Sequence, residues 1–173
     1  MKRFIKISIP VLLFLGIGFV LFKSFKKIEH KKQIEQQIQK MPQLDFEDIQ
    51  TGLQFTNQNL KRNTPTLLIY FNTECEHCQY EISEISESIE QFESVQIVMI
   101  SIEEPEILLS YFANSKLLNR ENVFILYDQD LRFERIFGNC PFPTIFIYDK
   151  NLELVKQFKG EVKIEAILKY LNV

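Results

Sequence analysis

The chain has 173 residues, 46% apolar and 25% charged, which suits one folded domain of ordinary size and excludes extensive disorder. Its net charge of −3 hides an asymmetry: residues 1–40 hold nine basic and two acidic groups, a net of +7, and residues 41–173 carry a net of −10. So acidic a folded part repels phosphate, which excludes a nucleic-acid partner, and three cysteines are too few for the disulfide framework of a small secreted scaffold.

From Phe4 to Phe22 the chain is apolar apart from Lys6, Ser8 and a few Gly and Pro. At about 1.5 Å per residue the run just covers a hydrocarbon core of about 30 Å if Lys6 snorkels to the headgroups, so residues 1–22 are predicted to form a transmembrane anchor. The rival, a cleaved signal peptide, wants small residues where the run ends, and the sequence there is Phe19-Val-Leu-Phe22 and Lys23. Residues 23–41 are rich in Lys, Gln and Glu, with Ile28, Ile34 and Ile38 thinly spaced. They predict a helical stalk, its basic half lying on anionic headgroups or simply solvated. Counted alone, Lys23, Lys26, Lys27, Lys31 and Lys32 lean toward a cytoplasmic domain.

Beyond Met41-Pro42, short apolar runs alternate with amphipathic ones, the pattern of an α/β domain over residues 42–173. Thr66-Leu-Leu-Ile-Tyr-Phe71 reads as a central strand buried on both faces. Ile82, Ile85, Ile89 and Phe92 recur at helical spacing and predict a helix of about four turns. A strand follows at 95–101, a helix from Pro105 to about Asn119, a strand at 123–127 and a short helix over 130–137. Gly138-Asn-Cys-Pro-Phe-Pro143 is a turn-rich break, residues 144–148 and 154–158 read as an antiparallel hairpin, and residues 161–171 close the chain as an amphipathic helix.

The chemistry gathers at Cys75-Glu-His-Cys78, between a buried strand and a helix. There the first sulfur meets the unpaired N–H groups and dipole of the helix N-terminus, which favour a thiolate, and the second lies one turn inside. Cys75 is therefore expected to attack and Cys78 to resolve. His77 adds positive charge near Cys75, while Glu74 and Glu76 act against it, so the two residues between the cysteines are expected to tune the pair. Glu81 falls three residues after Cys78; it is either the proton acceptor for the buried thiol or one member of the exposed series Glu81, Glu84, Glu87, Glu90. Zinc would need two more ligands, and only His30, His77 and Cys140 remain, so no metal is expected. Covalent haem attachment wants His directly after the second cysteine, where the sequence has Gln79. Pro143 stands before a strand, 65 residues beyond Cys78. A cis bond there would expose backbone groups to a substrate strand, and an ordinary trans proline at a strand edge fits as well.

Taken together, Leu67–Phe71, Cys75-Glu-His-Cys78 and Phe142-Pro-Thr144 before a hairpin and a last helix resemble the thioredoxin superfamily. More narrowly, the chain resembles the membrane-anchored thiol–disulfide oxidoreductases of the TlpA/ResA type over residues 42–173, including an extension from Leu44 to Leu60 before the first core strand. The resemblance implies a thioredoxin-like fold, a central mixed β-sheet flanked by helices. It makes Cys75 the nucleophile, Cys78 the resolving cysteine, Pro143 the cis-proline presenting substrate with Thr144, and Glu81 the glutamate that follows the pair in many members. It also implies disulfide- or thiol-containing protein substrates, an upstream thiol–disulfide partner, no cofactor, and a domain outside the cytoplasmic membrane. The chain departs from the family in having Asn72-Thr-Glu74 and no Trp before the first cysteine, Ser83 where a helix-kinking proline is common, and Cys140, which has no counterpart.

Of two rivals, one fails: a peroxiredoxin-like peroxidase with Pro-x-x-x-Thr-x-x-Cys would need Pro at Leu68 and Thr at Asn72. A thioredoxin-fold binding module or chaperone would carry the same cysteines without redox turnover.

Overall fold

The computed structural model describes residues 2–171, and the side chains of residues 16–171. The chain divides after Gln36 into two compact units. The first is essentially one helix, α1 (Lys2–Gln37), whose side chains from residue 16 onward are almost all exposed. The apolar run Phe4–Phe22 falls largely outside the described side chains; among the described residues no helix is long and apolar enough to cross a membrane.

The second unit is organised by β3 (Thr66–Tyr70), in which all five residues are buried. A strand covered on both faces is continuously apolar, and β3 sits near the middle of a seven-stranded sheet of order β2-β1-β5-β4-β3-β6-β7. It pairs in parallel with β4 (Gln96–Ser101), which pairs in parallel with β5 (Val123–Tyr127). On the other side it pairs antiparallel with β6 (Thr144–Tyr148), which pairs antiparallel with β7 (Leu154–Lys159). The register sets Tyr70 opposite both Ile100 and Thr144, so the loop leaving β3 emerges beside the loop entering β6. The extension before β3 is a hairpin, β1 (Asp45–Asp48) and β2 (Gln54–Thr56), and β1 completes the sheet against β5. Asn57 fastens it: its side chain accepts from the Leu44 amide at 2.7 Å and donates to the Pro42 carbonyl at 2.9 Å.

Helices α2 (Glu76–Glu87), α3 (Pro105–Phe112), α4 (Arg132–Phe137) and α5 (Ile164–Leu171) flank the sheet. Ile82 and Ile85 of α2, Leu108 and Phe112 of α3 and Ile167 of α5 join one apolar cluster with Leu67 and Ile69. An aromatic group forms around Phe133, fully buried, stacked on Tyr70 at 4.1 Å and on Phe137 at 4.3 Å, with Phe146 at 6.1 Å.

Several boundaries differ from expectation. The stalk ends before residue 41: Ile38 and Met41 are buried, and the Tyr148 hydroxyl donates to the Ile38 carbonyl at 3.1 Å, so the folded unit begins at Gln37. The helix expected to reach Asn119 stops at Phe112, because the Ser115 hydroxyl takes the Leu117 amide at 3.2 Å, local bonding that competes with the helical ladder. Leu117 is still buried, from a turn. The helix expected from Asp130 starts at Arg132: Leu131 is left-handed at φ 53°, and the buried Asp128 carboxylate accepts the Arg132 and Phe133 amides, each at 2.8 Å. The single helix expected through Phe92 ends at Glu87, and a 3-10 turn covers Ile89–Phe92.

Replacing Phe133 by Ala removes the centre of the aromatic group without a small neighbour to refill it. A loss of about 3–5 kcal/mol in urea unfolding is expected, with the slope unchanged.

Candidate active site

The site is built first by the loop after β3. The Asn72 side chain accepts the Glu74 amide at 2.9 Å, and its carbonyl accepts the Cys75 amide at 3.3 Å. Thr73 is gripped on three sides: its amide and hydroxyl donate to the Glu103 carboxylate at 2.7 and 2.5 Å, and its carbonyl accepts from the Gln79 side chain at 2.6 Å. Ser101, the last residue of β4, donates to the same carboxylate at 3.0 Å. The loop is thereby fixed between the end of β4 and the first turn of α2, with Cys75 at the N-cap of that helix.

Cys75 is partly exposed, and its Sγ lies 3.8 Å from the Phe142 carbonyl oxygen. Cys78 is fully buried one turn on. Burial pushes its thiol up to about 12; its pairing with Cys75 and the Glu81 charge add to that, and the Asn72 backbone works against it. Glu81 is 1% exposed. Its Oε1 accepts the Val162 amide at 3.2 Å, and its Oε2 has no hydrogen-bond partner among the described residues. Burial lifts this carboxyl to about 8, with the Glu161 charge adding and the Val162 N–H opposing. Of the two readings of Glu81, an exposed member of an acidic series is thus overturned.

The peptide bond between Phe142 and Pro143 is cis. Pro143 and Thr144 do not themselves offer free backbone groups, which corrects that expectation. The Pro143 carbonyl accepts from the Gly160 amide at 2.8 Å, and Thr144 is fully buried, flanked in the sheet by Tyr70 and Lys159, its hydroxyl on the Pro141 carbonyl at 2.5 Å. The backbone beside the cysteines is that of Phe142. His77 is exposed, and its Nδ1 lies 2.8 Å from Glu161 Oε2, a carboxylate partner that its place between the cysteines does not reveal. Glu76 is exposed in the first turn of α2. Cys140 is 2% exposed and held near the Phe137 carbonyl at 3.7 Å, and burial pushes its thiol up to about 11, which suits a small buried hydrophobe.

Sequence reasoning singled out Cys75, Cys78, Glu81 and the Phe142-Pro143-Thr144 segment, and did not single out Glu103, Gln79 or the Glu161-Val162 segment. The available signal for Glu103 was its place two residues past the end of a strand parallel to β3, legible only once the strand order is known.

The sequence profile of the AhpC/TSA family matches residues 38–157, most of the folded unit. The chain belongs to the AhpC/TSA family. It is similar to the thiol-disulfide oxidoreductase ResA of Bacillus thuringiensis (strain Al Hakam), 25% identical over 169 residues covering 96% of this chain and 93% of that protein. In fold it is similar to the exposed lipoprotein thioredoxin Etrx1 of Streptococcus pneumoniae strain TIGR4, with a TM-score of 0.61 at 16% identity over 75% of this chain and 98% of that one. A thiol peroxidase from Chromobacterium violaceum superposes as well, with a TM-score of 0.63 at 16% identity over 75% of this chain and 82% of that one. The protein is a thioredoxin-fold oxidoreductase of thiols and disulfides. Those two structures are named as a thioredoxin and a thiol peroxidase, and in this chain Leu68 and Asn72 stand where the peroxidase arrangement puts Pro and Thr.

The raised Glu81 carboxyl makes a stability prediction. An acid that binds its proton more tightly when folded contributes stability that is fully present below the unfolded value of 4.5 and is lost as pH rises through about 8. Glu81→Gln does not titrate. Relative to wild type it is expected to gain on the order of 3–5 kcal/mol between about pH 4 and about pH 9 in urea unfolding.

Proposed function

We propose that this protein is a membrane-anchored reductase of protein disulfides, working outside the cytoplasmic membrane through Cys75 and Cys78. The observation that carries the exchange chemistry is the unequal burial of the two sulfurs: Cys75 is reachable at a helix N-terminus, and Cys78 is sealed one turn inside beside a buried carboxyl.

In the forward direction the Cys75 thiolate attacks one sulfur of a substrate disulfide, forming a mixed disulfide and releasing the other substrate sulfur as a thiolate. Glu81, when ionised, takes the Cys78 proton. The resulting Cys78 thiolate attacks Cys75 Sγ, closing the Cys75–Cys78 disulfide and releasing the second substrate thiolate, so two electrons pass to the substrate. The upstream thiol–disulfide partner returns two electrons to the pair, and the proton held by Glu81 goes back to Cys78, restoring the Cys75 thiolate and the Cys78 thiol. Phe142, beside Cys75, is the residue positioned to meet an extended substrate segment, with the cis Pro143 setting its backbone.

Burial and the nearby carboxylate disfavour a Cys78 thiolate, so ionisation of Cys78 adds nothing to the stability of the reduced pair. This favours the reductase direction. A reduction potential nearer the ~−270 mV of thioredoxin than the ~−120 mV of a strong oxidant is expected in a glutathione or dithiothreitol titration. The apolar run Phe4–Phe22 and its basic flank support the anchor, and the resemblance to the TlpA/ResA type supports the external placement.

Cys78→Ala is expected to accumulate substrate proteins on Cys75 as mixed disulfides on a non-reducing gel, and Cys75→Ala to accumulate none. Equal trapping by both variants would overturn the assigned roles, and cysteine-independent binding with no insulin reduction would make the protein a binding module instead.

A further inference from the structure

The segment Gly160-Glu-Val162 lies between β7 and α5, far in sequence from the Cys-x-x-Cys helix, yet it touches three separate parts of the centre. Gly160, held at φ 90°, donates its amide to the Pro143 carbonyl at 2.8 Å. Glu161 pairs through Oε2 with His77 Nδ1 at 2.8 Å. Val162 donates its amide to Glu81 Oε1 at 3.2 Å and packs its side chain against the apolar cluster. The outer two contacts are backbone hydrogen bonds of the segment; the middle one joins it through side chains to the residue directly before Cys78.

We propose that His77 and Glu161 are positioning residues of the redox centre: their pairing holds Gly160–Val162 closed over Glu81 and so sets the pH range in which Glu81 exchanges a proton with Cys78. This rests on the reading of Glu81 as the proton acceptor for Cys78. It assigns His77 a partner other than the Cys75 sulfur, and it gives Glu161 two effects on one carboxyl.

The physical chain is short. The chief influence on Glu81 is burial, and its Oε2 is unpaired, so admitting water at that atom relieves the largest penalty on the carboxylate. The covering backbone is the Val162 amide, one residue from Glu161. The groups facing Glu81 are Cys78 from its own helix and Glu161 from the covering segment; Lys163, next in the chain, is exposed, and Tyr111 of α3 meets the Cys78 and Glu103 charges rather than that of Glu81. Opening the segment withdraws the Glu161 charge and hydrates Oε2, both of which lower the proton affinity of Glu81, and removes the Val162 hydrogen bond, which raises it. Because burial is the largest of these causes, the net movement is downward. The His77–Glu161 pair is partly exposed, so the expected movement is modest.

The test uses the full chain. A mixed disulfide between Cys75 and a small thiol is prepared, and the rate of its resolution by Cys78 is followed against pH in wild type, Glu81→Gln, His77→Ala, His77→Gln and Glu161→Ala, together with hydrogen exchange at the Val162 amide. In wild type the rate is expected to climb through about pH 8, and Glu81→Gln to lose that limb. His77→Ala is expected to move the limb down by about half a pH unit and to speed Val162 exchange, and Glu161→Ala to move it further. His77→Gln, which keeps a donor for Glu161, is expected to restore the wild-type profile. If Glu81→Gln removes the limb while His77→Ala and Glu161→Ala leave both the limb and Val162 exchange unchanged, the positioning role is overturned and the proposed function stands. If His77→Ala changes only the rate at which Cys75 is alkylated, His77 acts on the sulfur directly and the inference also fails. A limb that survives Glu81→Gln overturns the reading of Glu81 itself, and this inference with it.

Discussion

A carboxyl group taken almost completely out of water, with one oxygen bonded and the other unpaired, is the constraint around which the rest of this site is arranged. Glu81 lies one turn beyond Cys78 on the same helix, and α2 is packed through Ile82 and Ile85 onto the sheet, so the carboxyl has no route to solvent along its own element. Leaving an ionised carboxylate there costs stability, and replacing it with an apolar side chain would be the simple structural solution. Its neighbour is the Cys78 thiol, equally buried, which on the proposed function must lose a proton to act. The proposed function gives this destabilised position a use, as the proton acceptor for that thiol.

The same constraint explains why the centre is assembled from ends of strands. β3 and β4 run in parallel, so Phe71-Asn72-Thr73 and Ser101-Ile102-Glu103 emerge side by side, and Glu103, steadied by the Ser101 hydroxyl, can grip Thr73. β6 runs the other way, which brings its beginning, and with it Phe142-Pro143, to that same edge. Open α/β sheets gather function at the carboxyl ends of their parallel strands because loops there are held by a rigid frame while their side chains stay accessible. Here the antiparallel neighbour adds a second loop to the group, and the turn after β7 closes it through Gly160.

What could be read from the sequence follows the range of the interaction. The fully apolar run before the cysteines, the helical return of Ile82 and Ile85, and the three-residue step from Cys78 to Glu81 are local patterns, and each stands where the structure puts it. Boundaries failed where one side chain decided them: Asp128 starts α4 by taking two amides, and Ser115 ends the helical stretch after Phe112. The partner of His77 was not legible for another reason: sequence sets its charge beside Cys75, two positions away, while the carboxylate it meets in space belongs to Glu161, separated by 84 positions. Glu103 was invisible for the same reason, since its partner Thr73 lies 30 positions away across a parallel pairing.

Fold alone does not choose between exchanging disulfides and reducing peroxides, because exchange proteins and a thiol peroxidase superpose on this chain equally well. The choice rests on what surrounds the first sulfur. A peroxidase needs groups around its attacking cysteine that polarise an O–O bond, and at the two positions where that arrangement has Pro and Thr this chain has Leu68, buried in β3, and Asn72, which turns the loop. A second cysteine one helical turn from the first has its use when the electrons leave through an intramolecular disulfide, and a buried acid beside that second cysteine has its use when the step needing help is the departure of its proton. Cys140 meets neither condition among the described residues: it is buried, held by the Phe137 carbonyl, and shares no carboxylate of that kind. On the proposed function the chemistry is carried by the pair and the acid on α2, and the sheet's part is to hold the Phe142 loop against them.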